Sequence, residues 1–109
     1  MKKIKSLKEA KQYLENYEKV ILQVSTKRCS PCRKQKSEIT SFCKTQNNIA
    51  CLEIKDQNID RRHYGSLFPI VQVFKNQKKI FFKDSKQHKK TDKLIGYRKN
   101  IRSILNQIF

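Results

Sequence analysis

The sequence has no tryptophan, only two glycines and two prolines, and only nine carboxylate side chains among 109 residues. With Gly and Pro so scarce, each marks a defined backbone position. No apolar run approaches the ~20 residues that cross a bilayer, the longest lying around Val20-Ile21-Leu22, so no membrane association is expected. The start, Met1-Lys2-Lys3-Ile4-Lys5, carries the charge of a secretory leader without the apolar stretch that must follow, and the expected location is cytoplasmic. Neither histidine has a partner at metal-ligand or triad spacing. His63 is read as a surface or turn residue and His88 as part of an exposed loop.

Against the nine acids stand 26 Lys and Arg, for a formal net charge of +17. A field of that size attracts acidic proteins and polyanions. The lysines run from Lys2 to Lys99 without gathering into one stripe, which favours a solvated cationic surface over nucleic-acid binding. The length fits one domain spanning residues 1–109, and a chain of this size buries roughly 60–70% of its unfolded surface. The apolar residues are clustered, unlike those of a disordered chain.

Ser6-Leu7-Lys8-Glu9 is a capping box, and Leu7, Ala10, Leu14 and Tyr17 follow it at helical spacing. Residues 20–24 form a β-branched run suited to a strand buried on both faces. A helix is predicted from Pro31 to about Lys44, with Ile39, Phe42 and Cys43 toward the core. Residues 49–54 read as a strand and residues 60–64 as a short helix or turn ending near Gly65. Residues 70–74 and 79–82 read as an antiparallel hairpin about the polar turn 75–78, with Phe81 and Phe82 pointing to opposite faces. Residues 83–93 read as an exposed loop. Asn100 is placed to cap a last helix bearing Ile101, Ile104, Leu105 and Ile108. A very short strand near Lys3-Ile4 precedes these elements. The predicted class is α/β, a mixed central sheet flanked by helices.

Cys29-Ser30-Pro31-Cys32 falls between the buried strand and the helix begun by Pro31. There the unpaired amides and the dipole favour a thiolate on Cys29. Lys27, Arg28, Arg33 and Lys34 add positive charge, and such surroundings lower a thiol pKa from about 8.5 toward ~3.5–7.5. Two intervening residues let Cys32 turn back to the sulfur of Cys29. The pair is read as a redox dithiol, with Cys29 the exposed nucleophile and Cys32 the protected, resolving thiol.

The Cys-x-Pro-Cys motif resembles that of the thioredoxins. Phe68-Pro69 before the strand at residues 70–74 resembles the family's cis-proline loop, and Phe74-Lys75-Asn76 and Gly96 fall where the family has similar residues. The resemblance covers nearly the whole chain. It implies a thioredoxin fold with Pro69 cis and facing the dithiol, and Ser30, Pro31, Phe68 and Pro69 lining the groove for an extended substrate. It also implies protein partners bearing disulfides or thiols, and a recycling reductase or oxidase. Several positions depart from the family pattern. Arg28 replaces the usual aromatic residue and Ser30 the usual glycine. Gln23 stands at the buried acid, Ser37 near the mid-helix proline, and residues 83–93 look inserted. These point to a specialised relative with an altered partner surface and slower resolution by Cys32.

Cys43 and Cys51 are expected to pack as small apolar residues, with a disulfide between them as the alternative. A four-cysteine zinc site is disfavoured, because eleven helical residues put Cys43 ~16 Å from Cys32, beyond the span of zinc–sulfur bonds of about 2.3 Å. Tyr13, Tyr17, Phe42, Phe81 and Phe82 read as packing residues. The sequence thus predicts a monomeric thiol–disulfide oxidoreductase without cofactor or metal, its basic rim favouring acidic substrates. The competing reading is a non-catalytic module that presents its basic surface to nucleic acid or an acidic protein.

Overall fold

The computed structural model describes residues 1–84 and 89–109, leaving aside the side chains of Arg61, His63, Asp84 and Lys89. His88 and the side chain of His63 therefore lie outside the described residues. The chain forms β1 (Lys2–Ile4), α1 (Leu7–Asn16), β2 (Lys19–Ser25), α2 (Ser30–Cys43) and β3 (Ile49–Lys55). A 3-10 turn (Asp56–Asn58) and α3 (Arg61–Tyr64) lead to β4 (Ile70–Lys75), β5 (Lys78–Lys79), β6 (Phe82–Asp84), β7 (Lys89–Thr91), β8 (Leu94–Ile95) and α4 (Ile101–Ile108).

The sheet runs β1-β3-β2-β4-β5, and β8 also pairs with β4. β1, β3 and β2 are mutually parallel, whereas β4 is antiparallel to β2, with Val24 opposite Ile70. Alternation along β2 divides the core. Val20, Leu22 and Val24 join Ile4, Ala10, Leu52 and Ile54 under α1. Ile21 joins Ile39, Phe42, Val71, Val73, Ile101 and Leu105 beneath α2 and α4. The mixed sheet flanked by helices is the predicted class.

Local chemistry explains the element ends. The Ser6 hydroxyl accepts from the Glu9 amide at 3.1 Å, and the Glu9 carboxylate reaches back to the Lys5 amide at 2.9 Å. Asn76 and Gln77 both take positive φ, as a two-residue hairpin turn requires. Asn100 stands at the start of α4, but its side chain makes no capping bond.

Past β5 the structure departs from the sequence expectations. The strand predicted at residues 79–82 is split, β5 ending at Lys79 and β6 beginning at Phe82. Phe81 and Phe82 do face opposite ways, Phe82 into the core beneath α4 and Phe81 61% exposed. Phe81 is thus not a packing residue. The segment predicted as an exposed loop instead carries a short antiparallel hairpin, β6 with β7, in which Phe82 lies opposite Thr91. Asp92 anchors its far end to Lys79 and Lys93 at 3.2 and 3.1 Å. One buried aromatic, Phe82, anchors the pairing where no apolar periodicity announced it.

Phe42, 1% exposed, fills the space between α2 and the C-terminus, where it meets the Phe109 ring. Phe42→Ala is expected to lower stability by about 3–5 kcal/mol. Ser6→Ala should cost only about 1 kcal/mol. Urea denaturation of the two variants beside the parent chain measures both.

Candidate active site

Buried β2 ends at Ser25, and residues 26–28 carry the chain out to Cys29. Arg28 lies in the left-handed region at φ 54°, a conformation that costs a non-glycine residue about 1–2 kcal/mol. Cys29 is the residue capping α2, and its sulfur accepts from the Cys32 amide at 3.1 Å. The two cysteines are joined as a disulfide with Cα atoms 5.2 Å apart. Cys29 is partly exposed, while Cys32 is 3% exposed. Ser30 and Pro31 are exposed in the first turn, as are Lys27, Arg28, Arg33 and Lys34 around it.

Pro69 reaches this end of the sheet because it directly precedes Ile70, the register partner of Val24. The Phe68–Pro69 peptide bond is cis. Pro69 is buried and Phe68 half-buried, and the Pro69 carbonyl accepts from the Gly96 amide at 2.8 Å. Gly96 has φ 84°, with Leu67 3.8 Å from where a β-carbon would stand. Leu67 is 63% exposed, and Ile95 and Tyr97 border Gly96 with partial exposure. This apolar rim went unread in the sequence, where its residues are scattered singly.

The sequence reading also missed a polar network under the dithiol. Gln23 faces α2 and donates from Nε2 to the Cys32 carbonyl and to Ser25 Oγ, both at 2.9 Å. Ser25 Oγ donates to Glu53 Oε2 at 3.0 Å, and Lys36 Nζ donates to Glu53 Oε1 at 3.1 Å. Glu53 is the direct cross-strand partner of Gln23 and is 4% exposed. A glutamate inside the apolar run of β3, level with a glutamine inside that of β2, was the available signal. Burial pushes the Glu53 carboxyl up, but hydrogen bonds from Lys36 and Ser25 and the charges of Lys36 and Lys55 outweigh it. The group sits below its ordinary value.

No family model matches the sequence, and no curated protein does. Solved structures do match. Thioredoxin from Fasciola hepatica superposes with a TM-score of 0.74 at 12% identity, over 98% of each chain. The fold is that of a thioredoxin. Mitochondrial thioredoxin 3 from Saccharomyces cerevisiae gives a TM-score of 0.71 at 14% identity, over 98% of this chain and 91% of that one. Plasmodium falciparum thioredoxin gives 0.67 at 19%, over 99% and 95%. The thioredoxin-like fold and the Cys29–Cys32 pair agree with the resemblance read from the motif.

Cys43 and Cys51 do not pack as free thiols. They form a second disulfide, with Cα atoms 6.7 Å apart, tying the last residue of α2 to β3. Helix α2 is continuous from Ser30 to Cys43, so the two pairs lie at its opposite ends.

The depressed Glu53 carboxyl gives stability that is present above its unfolded value of about 4.5 and lost as pH falls from there through the lower folded value. Urea midpoints at neutral pH and at about pH 3 should therefore differ more for the parent chain than for Glu53→Gln. Equal losses would show that Glu53 does not carry this linkage.

Proposed function

We propose that the chain is a thiol–disulfide oxidoreductase acting on protein substrates. The observation that carries this reading is the asymmetry of the pair at the start of α2, with Cys29 reachable from solvent and Cys32 buried behind it. The Cys29 thiolate is favoured by the helix dipole, the Cys32 amide and the exposed cations around it. It attacks one sulfur of a substrate disulfide, and the electron pair leaves on the other. Cys32, as thiolate, then attacks Cys29 Sγ, and the second substrate sulfur departs as thiolate and takes up a proton. Substrate loses its disulfide and the chain gains one.

Ser30, Pro31, Phe68 and Pro69 form the substrate groove in this reading, with Leu67, Ile95 and Tyr97 as its apolar rim. Lys27, Arg28, Arg33 and Lys34 select partners with acidic residues beside the scissile disulfide. The protein acts as a monomeric single domain and is returned to its starting state by a separate reductase or oxidase. No helix among the described residues is long and apolar enough to cross a membrane. In the proposed cytoplasmic setting thiols are kept reduced, and there the Cys43–Cys51 pair would have to resist reduction or cycle with the pool.

Reduction of insulin by dithiothreitol tests the reading. The parent protein should accelerate it, and Cys29→Ser should fall to the uncatalysed rate. Equal rates for the two would remove the enzymatic claim. Steeply salt-dependent retention on DNA, kept when both Cys29 and Cys32 are serine, would favour the competing binding module.

A further inference from the structure

Among the described residues, only two buried side-chain polar atoms lack a partner, Gln23 Oε1 and Gln35 Nε2. The first lies on an amide whose Nε2 already donates to the backbone carbonyl of Cys32, the residue that bears the buried sulfur. Its orientation is fixed by its neighbours. Glu53 is held as a carboxylate by Lys36, so it only accepts, and it takes the one proton Ser25 has to give. Ser25 Oγ must then accept from Gln23, as the Cys32 carbonyl must. Both contacts demand the NH2 end of the amide. Oε1 is left as an acceptor with no donor, wholly buried, and polarised by two outgoing hydrogen bonds.

In the disulfide form, Cys32 has no proton to offer. Reduction creates an S–H on a residue that is 3% exposed, turned away from bulk solvent. We propose that in the reduced protein Gln23 Oε1 accepts a hydrogen bond from the Cys32 thiol and holds the resolving sulfur protonated until it attacks. This inference rests on the oxidoreductase reading above. In the resolving step the S–H···O bond breaks and Cys32 gives its proton to solvent. The Cys32–Cys29 sulfur bond then forms as the Cys29–substrate bond breaks. The departing substrate thiolate takes up one proton, so none is gained or lost overall. The buried acceptor is satisfied in the dithiol state and orphaned in the disulfide state. Gln23 therefore biases the pair toward the dithiol, and the Ser25–Glu53–Lys36 chain sets the direction of that bias.

The S–H stretching band, read by infrared spectroscopy in ordinary water, tests this directly. The spectrum of the dithiothreitol-reduced protein minus that of Cys32→Ser isolates the Cys32 band without altering Gln23. A band displaced to lower wavenumber than a thiol without a hydrogen bond is the expected result. In Gln23→Leu the displacement should vanish, and the equilibrium with glutathione should move about tenfold toward the disulfide. A Cys32 band at the position of an unbonded thiol in the parent protein overturns the proposal, whether or not Gln23→Leu folds. So does a displaced band that persists in a folded Gln23→Leu. Failure of insulin reduction with the band displaced would overturn the oxidoreductase reading and leave the hydrogen bond standing. Active enzyme with an undisplaced band would overturn the hydrogen bond alone.

Discussion

Strand β2 is buried on both faces and pinned between β3 and β4, and the chemistry of this chain depends on where that strand stops. Its alternation sends three residues beneath α1 and aims Ile21, Gln23 and Ser25 at α2. A strand clamped by two ladders cannot slip by one residue without exchanging those two sets. The register places Gln23 under the first turn of α2 and level with Glu53, and brings the loop to Cys29 to the edge where Pro69 leads into β4. Core packing and site geometry are thus one constraint seen from two sides.

The polar residues on that inner face accept a cost that apolar ones would avoid. Burying a carboxylate is tolerable only when it is paired and its remaining lone pairs are filled, and Lys36 and Ser25 do both for Glu53. Gln35, next along α2 on the same side as Cys32, has a related role. It accepts from the Arg98 amide at 3.0 Å and so ties the helix to the segment before α4. The first turns of α2 are held by hydrogen bonds from two directions, and the far end is held by the Cys43–Cys51 bond. A helix fixed at both ends is a firm base for a pair of sulfurs whose approach must repeat from turnover to turnover.

Much of the fold was legible because its signals are local. The Ser6 cap, the β-branched run of β2, Pro31 opening a helix and the Asn76-Gln77 turn are each written within a few residues. The dithiol and Phe68-Pro69 were legible as short motifs. The hairpin of β6 and β7 was not, because lysine-rich strands on a surface carry no alternation to read. The Cys43–Cys51 pairing depends on how the end of α2 lies over β3, and spacing along the chain does not encode that. The Gln23–Ser25–Glu53 network is non-local in the same way. Gln23 cannot ionise, whereas the carboxylate it lacks stands level with it on the neighbouring strand.

The outer strands of the sheet are short: Lys2–Ile4 on one side, and Lys78–Lys79 and Leu94–Ile95 along β4 on the other, and the lysines of the first two are exposed. An open strand edge is a template on which another chain can extend the sheet. Here any copy that approached β1 or β5 in register would bring ammonium against ammonium. The surplus of positive charge, which first suggested a polyanion partner, thereby also guards the fold against joining itself into fibres.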